Sequence, residues 1–396
     1  MRLLARIVRK AKSTARGILA PAVAPRPQAA GPHACTAATI DLGAPEIARD
    51  PFPHYEELRR AGSVQFLAKH NAWLVLGHED VQFAFAHPNL FSNQPYDEVD
   101  AVLLAADPPA HPPVRRIVMR YFSPAALDEL CAFAETHAVS LLKPQMDVVR
   151  GYGLPLSEAV AAHLIGFDDA AVDEIRAAHA EAPELGPYTR ALDRIAERAT
   201  MYQSLRNDGL GDAETRSLIR LLWLAATTTT ERVIARCVLG LLQNPDVARA
   251  VAQDHALIPA FVEEVLRLHP PEHMVPRLTT EAVPLGGATI PAGALVYLSV
   301  AAANRDPAKF DDPSTIRLDR PPIRHFTFGL GIHHCVGATL GRREIATSVR
   351  TLLTHAPGFR AVQPLATIEY WSTMTANAVE RLVLDTGIPP EETQPS

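Results

Sequence analysis

The stretch Phe326-Thr-Phe-Gly-Leu-Gly-Ile-His-His-Cys-Val-Gly-Ala338 constrains this chain more than any other. A single cysteine, Cys335, stands between Gly331 and Gly337, with a Gly- and His-rich loop before it and an apolar-periodic, helical run after it. Glycines carry no Cβ, so the backbone here can approach something flat and bulky. A cysteine at a helix N-terminus is expected to have a lowered thiol pKa and to become the thiolate that ligates metals. A small buried cysteine beside a loop is the ordinary alternative, and the surrounding glycines and histidines weigh against it.

Composition narrows the class. Of 396 residues, 47% are hydrophobic and 21% charged, the balance of an ordinary globular protein. Cys35, Cys131, Cys237 and Cys335 lie far apart with no C-x-x-C pair. That argues against a disulfide framework and a zinc ribbon and for a reducing, cytoplasmic compartment. No apolar run approaches the roughly 18–20 residues that span a bilayer. No G-x-G-x-x-G or P-loop marks a dinucleotide or nucleoside triphosphate site. The net charge of −6 hides an asymmetry: residues 1–40 hold seven basic residues and no acid, leaving −13 on the rest. Residues 2–20 space Leu4, Ile7, Ala11, Ala15 and Ile18 as a cationic amphipathic helix suited to weak contact with an anionic membrane surface. Residues 1–40 are therefore read as a basic tail and Pro/Ala linker, and residues 41–396 as one folded domain.

Along that domain the periodicity predicts helices over 50–62, 80–86, 124–143, 155–165, 168–206, 212–242, 258–268 and from Cys335 to about Leu353. Val64–Leu67 and Ala72–Leu76 read as paired strands, residues 273–300 alternate in the β manner, and strand-like segments recur over 367–384. The fold class is mainly α (α+β), a helix-rich single domain with small β-sheets. In the longest helix, Thr227 to Thr230 interrupt an apolar run, which predicts a local loosening at a site. His111 and Arg115, four apart, share a helix face and can reach one anionic group; Glu264 and Arg267, three apart, can pair.

Phe328-Gly-Leu-Gly331-Ile-His-His-Cys335-Val-Gly337 fits F-x-x-G-x-x-x-C-x-G, so the chain resembles the cytochrome P-450 heme-thiolate family, bacterial soluble type. Glu264-Val-Leu-Arg267 resembles that family's E-x-x-R, and Arg320 falls where its third partner sits. Asp107-Pro-Pro-Ala-His111 through Arg115 and Ala303-Asn-Arg-Asp-Pro-Ala-Lys-Phe310 match further recurring segments, in order, over roughly residues 45–385. The resemblance implies a cytochrome P-450 fold with heme b between a distal helix and the cysteine loop. It implies Cys335 as axial thiolate, with Phe328 and Gly337 against the heme and His111, Arg115, Arg277 and His333 on its propionates. Glu264, Arg267 and Arg320 would form a structural ion-pair network. It further implies a monooxygenase of secondary metabolism that hydroxylates or epoxidises a small or carrier-tethered organic substrate, using electrons from a ferredoxin and its reductase. Arg116, Arg120, Arg342 and Arg343 are the expected basic dock for that donor.

The distal helix departs from the family pattern. Where an acid precedes the alcohol, this chain has Thr228 before Thr229, and a hydroxyl is a relay rather than a proton source near neutral pH. That leaves open a peroxide-driven oxygenase, an oxidative coupling or rearrangement enzyme, or a heme-binding protein that does not oxygenate. Only 114 residues separate Arg115 from Thr229, which predicts a trimmed lid. Ala225, Ala226, Glu272, His273, Val275 and Met374 are the expected pocket lining by family position, with Glu272 and His273 polar where an apolar substrate would call for Leu or Val.

Overall fold

The computed structural model describes residues 34–389, apart from 98, 100, 182–184 and 323. The expected amphipathic helix of residues 2–20 lies outside the described residues. The helices used below are α1 (Phe52–Ala61), α2 (His78–Ala86), α3 (His111–Met119), α4 (Pro124–Ser140), α5 (Leu154–Ile165), α6 (Asp169–Glu181), α7 (Leu185–Ile195), α8 (Thr200–Asn207), α9 (Asp212–Gln243), α10 (Ile258–Leu268) and α11 (Ala338–His355). The strands are β1 (Val64–Leu67), β2 (Ala72–Val75), β3 (Phe91–Ser92), β4 (Met274–Thr279), β5 (Leu295–Ser299), β6 (Tyr370–Ser372) and β7 (Asn377–Val379).

The long helix α9 organises the α-rich part. Its start is capped by the Gly211 N–H donating to Glu214 Oε2 at 2.7 Å, with Asp212 and Glu214 favourable at the positive end of the helix dipole. Its middle, Leu218 through Leu224, is buried on nearly every side, as befits a core helix rather than an amphipathic surface one. Trp223 is fully buried and satisfies its indole N–H on Tyr188 Oη at 2.8 Å. Helix α9 packs on α5 and on α11, while α11 also packs on α4 and α10.

A five-stranded sheet of order β1-β2-β5-β4-β3 stands beside the helices. Strands β1 and β2 pair antiparallel with Val64 opposite Val75, as their sequences predict. Strand β2 runs parallel to β5, and β5 pairs antiparallel with β4, setting Arg277 opposite Val296. A short β6–β7 hairpin completes the part that concerns the site.

Two expectations need correction. Residues 168–206 do not form one long helix. They form α6, α7 and α8, and between α7 and α8 the chain passes through a tight helical turn at Ala196–Arg198, after which the Thr200 N–H returns to the Gly166 carbonyl at 3.1 Å. The apolar period runs on across those turns because all three helices bury a face. Nor do the four threonines break α9, which stays α-helical throughout. Thr227, Thr228 and Thr229 donate back to the carbonyls of Trp223, Leu224 and Ala225 at 2.9, 3.0 and 2.7 Å, so their hydroxyls are satisfied within the helix.

The buried ion-pair network joins helices to loop. Arg267 grips Glu264 through two bonds of 2.7 and 2.8 Å, and Arg320 Nε donates to Glu264 Oε1 at 2.9 Å. The remaining Arg267 N–H groups reach the carbonyls of Asn304, Pro313 and Thr315. Burial alone would raise the Glu264 carboxyl, but the bonds from Arg267, the Arg317 N–H and Arg320 outweigh it and hold the pKa below its ordinary value. Its contribution to stability is therefore in place above the ordinary carboxylate pKa of about 4.3 and is lost as pH falls through the lower folded value. Replacing Arg267 by Met strands a buried carboxylate and should cost about 3–5 kcal/mol in denaturant unfolding. It should also move acid unfolding to higher pH.

Candidate active site

The cysteine loop is held from outside before it reaches Cys335. Asn304, fully buried, accepts the Phe326 N–H on Oδ1 at 2.7 Å and donates from Nδ2 to Thr327 Oγ1 at 3.0 Å. Thr327 Oγ1 in turn donates to the Leu266 carbonyl of α10 at 2.7 Å. Past this clamp the chain bends through Gly329 and Gly331, both at positive φ. A Cβ on Gly331 would sit 2.6 Å from the Phe85 carbonyl oxygen of α2, so only glycine fits this approach. The loop then closes with the Cys335 N–H on the Phe328 carbonyl at 2.8 Å. The Phe328 ring lies beneath the Arg342 guanidinium, 4.2 Å from its centroid. Helix α11 begins at Ala338, with Gly337 as its N-cap.

The thiol is reachable from an internal cleft, since Cys335 is exposed although the site is deep in the molecule. Burial pushes its pKa up, opposed by the Gly337 N–H and the charges of Arg115 and Arg342. The expected lowering by a helix N-terminus is thus corrected. The thiol precedes the helix by three residues, and desolvation outweighs the one N–H aimed at it. A metal ion would reverse this, because a coordinating thiol is deprotonated outright.

Above the loop the structure gathers four cationic or donor groups that are far apart in sequence. His111, 1% exposed, has its Nδ1 buried without a partner, and its ring lies 4.4 Å from that of His333. His333 Nε2 is likewise buried without a hydrogen bond; Asp107 Oδ1 is 3.8 Å away. Arg277 projects from β4, stacked over the Phe85 ring at 5.3 Å. Burial, then His111, Arg277 and Arg115, push His333 down to about 3. Burial lowers His111 and Arg277 as well, and Arg115 adds to the effect on His111. Carboxylates placed among these groups would pair the orphaned nitrogens and relieve the repulsion.

Across the cleft, Ala225 of α9 is exposed and Ala226, Thr228 and Thr229 half-exposed, in the middle of a helix otherwise packed in the core. Glu272, just before β4, and Val275, within it, are half-buried. Arg232 Nη1 of α9 donates to Glu272 Oε1 at 3.0 Å and to the Pro271 carbonyl at 3.2 Å. Burial pushes Glu272 up to about 7 against the pull of Arg232. Two expected lining residues are not exposed to the cleft. His273 is buried against Phe52, ring centroids 5.7 Å apart, and burial holds it near 3. Met374 belongs to the apolar cluster with Met274 and Tyr297 under the sheet. His273 immediately precedes β4 and Met374 lies in the bend between β6 and β7. The residue that sequence reasoning missed is Asn304; its segment stood out, but its role depends on contacts that no spacing encodes.

A flat group bearing two carboxylates and a metal that accepts sulfur fits this space: glycine approach, lone thiol, orphaned donors. Those features define a heme-thiolate protein. The family model described as cytochrome P450 matches residues 125–356. Cytochrome P450 109 of Bacillus spizizenii is 30% identical over 77% of this chain and 84% of that protein. Cytochrome P450 monooxygenase PikC of Streptomyces venezuelae is 30% identical over 80% of this chain and 87% of that protein. The structure of P450BioI in complex with an acyl carrier protein carrying hexadec-9Z-enoic acid aligns with a TM-score of 0.77 at 25% identity, covering 86% of this chain and 99% of that one. The chain belongs to the cytochrome P450 family. Its cofactor is heme, bound through a cysteine thiolate, and it is a monooxygenase that transfers one oxygen atom from dioxygen to an organic substrate. The peroxide-driven and non-oxygenating alternatives gain no support from these relatives.

Gly331→Ala tests the cradle. The 2.6 Å approach and the positive φ both resist a methyl group, so the variant should purify with heme occupancy reduced severalfold, read as the ratio of Soret to protein absorbance.

Proposed function

We propose that Cys335 is the axial thiolate of the bound heme b, that His111, Arg115, Arg277 and His333 hold its propionates, and that Phe328 and Gly337 flank the sulfur. Once bound, the heme supplies the redox chemistry that activates dioxygen. The protein's own residues place the substrate, exclude stray water and move protons. The observation that carries this reading is the pair of buried ring nitrogens that make no hydrogen bond among the described residues, His111 Nδ1 and His333 Nε2, in a chain whose Cys335 thiol is exposed. Thr228 and Thr229 line the opposite wall. With their hydroxyl hydrogens engaged by Leu224 and Ala225, their oxygens are acceptors that can pass a proton on.

The substrate is an organic molecule of secondary metabolism, free or tethered to a carrier. The exposed Ala225, the short Arg115-to-Thr229 segment and a relative solved with an acyl carrier protein support a cleft that admits a long or tethered chain. Electrons come from a ferredoxin and its reductase, and the protein works in the cytoplasm, with its basic tail available for weak membrane-surface contact.

The docking face differs from a plain basic patch. Arg342 pairs with Glu263, Arg343 with Asp128 and Arg120 with Asp208, which leaves Arg116, exposed on α3, as the unspent charge. Arg116→Glu should therefore slow reduction by ferredoxin several-fold at low salt and little at high salt. Reversing Arg343 should do less, since Asp128 already offsets it.

Turnover tests the reading as a whole. With ferredoxin, reductase and labelled dioxygen, one labelled oxygen atom should appear in a substrate chosen for its low-to-high-spin shift. Incorporation from water instead would reject it.

A further inference from the structure

Oxygenation of one substrate molecule consumes one dioxygen, two electrons and two protons and releases one water. The electrons come from the donor protein; the protons must cross this pocket. Helix α9 offers only hydroxyls at the cleft. Its own acid, Glu231, is two residues past Thr229 and so about 200° around the helix, where its backbone backs onto Gly153, 3.5–3.6 Å from where that glycine's Cβ would lie. His273 is buried and neutral. Glu344 is sealed in the core of α11, 2% exposed.

Glu272 differs in position. Glu344 also has an unpartnered buried carboxyl oxygen and burial also raises Glu231 to about 7, but Glu272 alone of the three is bonded to Arg232, one turn from Thr228 and Thr229. The Glu272 side chain keeps 27% of its surface accessible. One carboxyl oxygen is fixed by Arg232 at 3.0 Å, while Oε2 is buried with no hydrogen-bond partner among the described residues. An unpaired buried carboxylate oxygen is costly unless it is protonated or meets a donor. Arg232 lies three and four residues beyond Thr229 and Thr228 on α9, one turn along the same face. Arg232 is itself held by the Pro271 carbonyl at 3.2 Å and lies over the Trp371 ring at 5.3 Å, so the carboxyl has a fixed seat. Tyr96, from the loop before α3, feels the charges of both Arg277 and Glu272, which sets Glu272 beside the part of the cleft that Arg277 faces.

Resting on the reading given under Proposed function, we propose that Glu272 is the proton donor of the distal pocket. The Oε2–H bond breaks, the proton passes through water and the hydroxyl of Thr228 or Thr229 to the two-electron-reduced dioxygen, and the carboxylate regains a proton from solvent. The groups facing Glu272 are Arg232 from α9 and Tyr96 from the loop before α3. Burial raises the carboxyl to about 7 while Arg232 restrains it, so both protonation states are populated near neutral pH, as general acid catalysis requires. The donor form is the protonated one, so delivery weakens as pH rises above about 7.

The test uses full-length heme-loaded protein with a ligand that shifts its spin state, Glu272→Gln, and Glu272→Asp as a second variant. In wild type, the share of donor electrons recovered in oxygenated product should fall as pH rises through about 7, with hydrogen peroxide taking the difference. Glu272→Gln should lower that share roughly a hundredfold, lose the pH step and release peroxide, while Glu272→Asp keeps part of both. Turnover driven by added hydrogen peroxide, which brings its own protons, should fall far less than the electron-driven reaction. Without any turnover, infrared difference spectra of the ferric protein should show a carboxyl C=O band titrating near neutral pH in wild type and missing in Glu272→Gln. Unchanged product share and pH profile in Glu272→Gln, persistence of the band, or loss of the peroxide-driven reaction too would overturn the proposal. Failure of wild type in both the electron-driven and the peroxide-driven arms would instead overturn the functional reading on which it rests.

Discussion

The site depends on how one buried amide is held. Asn304 joins the buried ion-pair network to the cysteine loop. Its carbonyl takes an Arg267 N–H at 3.0 Å, and its side chain takes the Phe326 N–H and gives to Thr327. Through it, the Glu264–Arg267–Arg320 network fixes the start of the cysteine loop, and two glycines and the Phe328 carbonyl fix the rest. A buried ion pair of this kind is weak evidence for net stability, because desolvation consumes much of what Coulomb attraction returns. Its value here is geometric. Five hydrogen-bonded N–H groups on Arg267 and a fully occupied carboxylate leave the loop few alternatives.

The two walls of the cleft are built by opposite rules. Near the loop, charged and polar groups are gathered and buried, and burial lowers the pKa values of His111, His333 and Arg277, with neighbouring cations adding to the effect on the two histidines. Burying such groups together costs stability, and the proposed placement of the heme carboxylates among them would offset that cost. On α9 the rule is satisfaction: the hydroxyls of Thr227, Thr228 and Thr229 are spent on their own helix. Polarity then enters the distal side from Arg232 and Glu272, one contributed by the helix and one by the turn that leads into β4.

Much of this was legible in the sequence, for identifiable reasons. The cysteine loop and the Glu264–Arg267 pair are local patterns, where spacing alone sets geometry. Helices α9, α10 and α11 and the β1–β2 pairing follow from periodicity and turn residues. What failed to read were consequences of distant contacts. The turn between α7 and α8 is pinned at Gly166, over thirty residues from Thr200. The threonine run kept its helix because the surrounding core holds it. Thiol acidity at Cys335 depends on how much protein closes over it, and His273 and Met374 are buried by packing that no family position conveys. Asn304 was visible as part of a recurring segment, yet its clamp on Phe326 spans 22 positions and carries no local signal.

X-ray absorption at the iron edge of the heme-loaded protein measures the central claim directly, because it reports the atoms bonded to the metal whatever the substrate. With Cys335 as the axial ligand, the ferric wild type should show one sulfur scatterer in the first shell, and Cys335→His should show only nitrogen and oxygen while keeping its heme. A first shell without sulfur in wild type, or sulfur that persists in Cys335→His, would contradict the account.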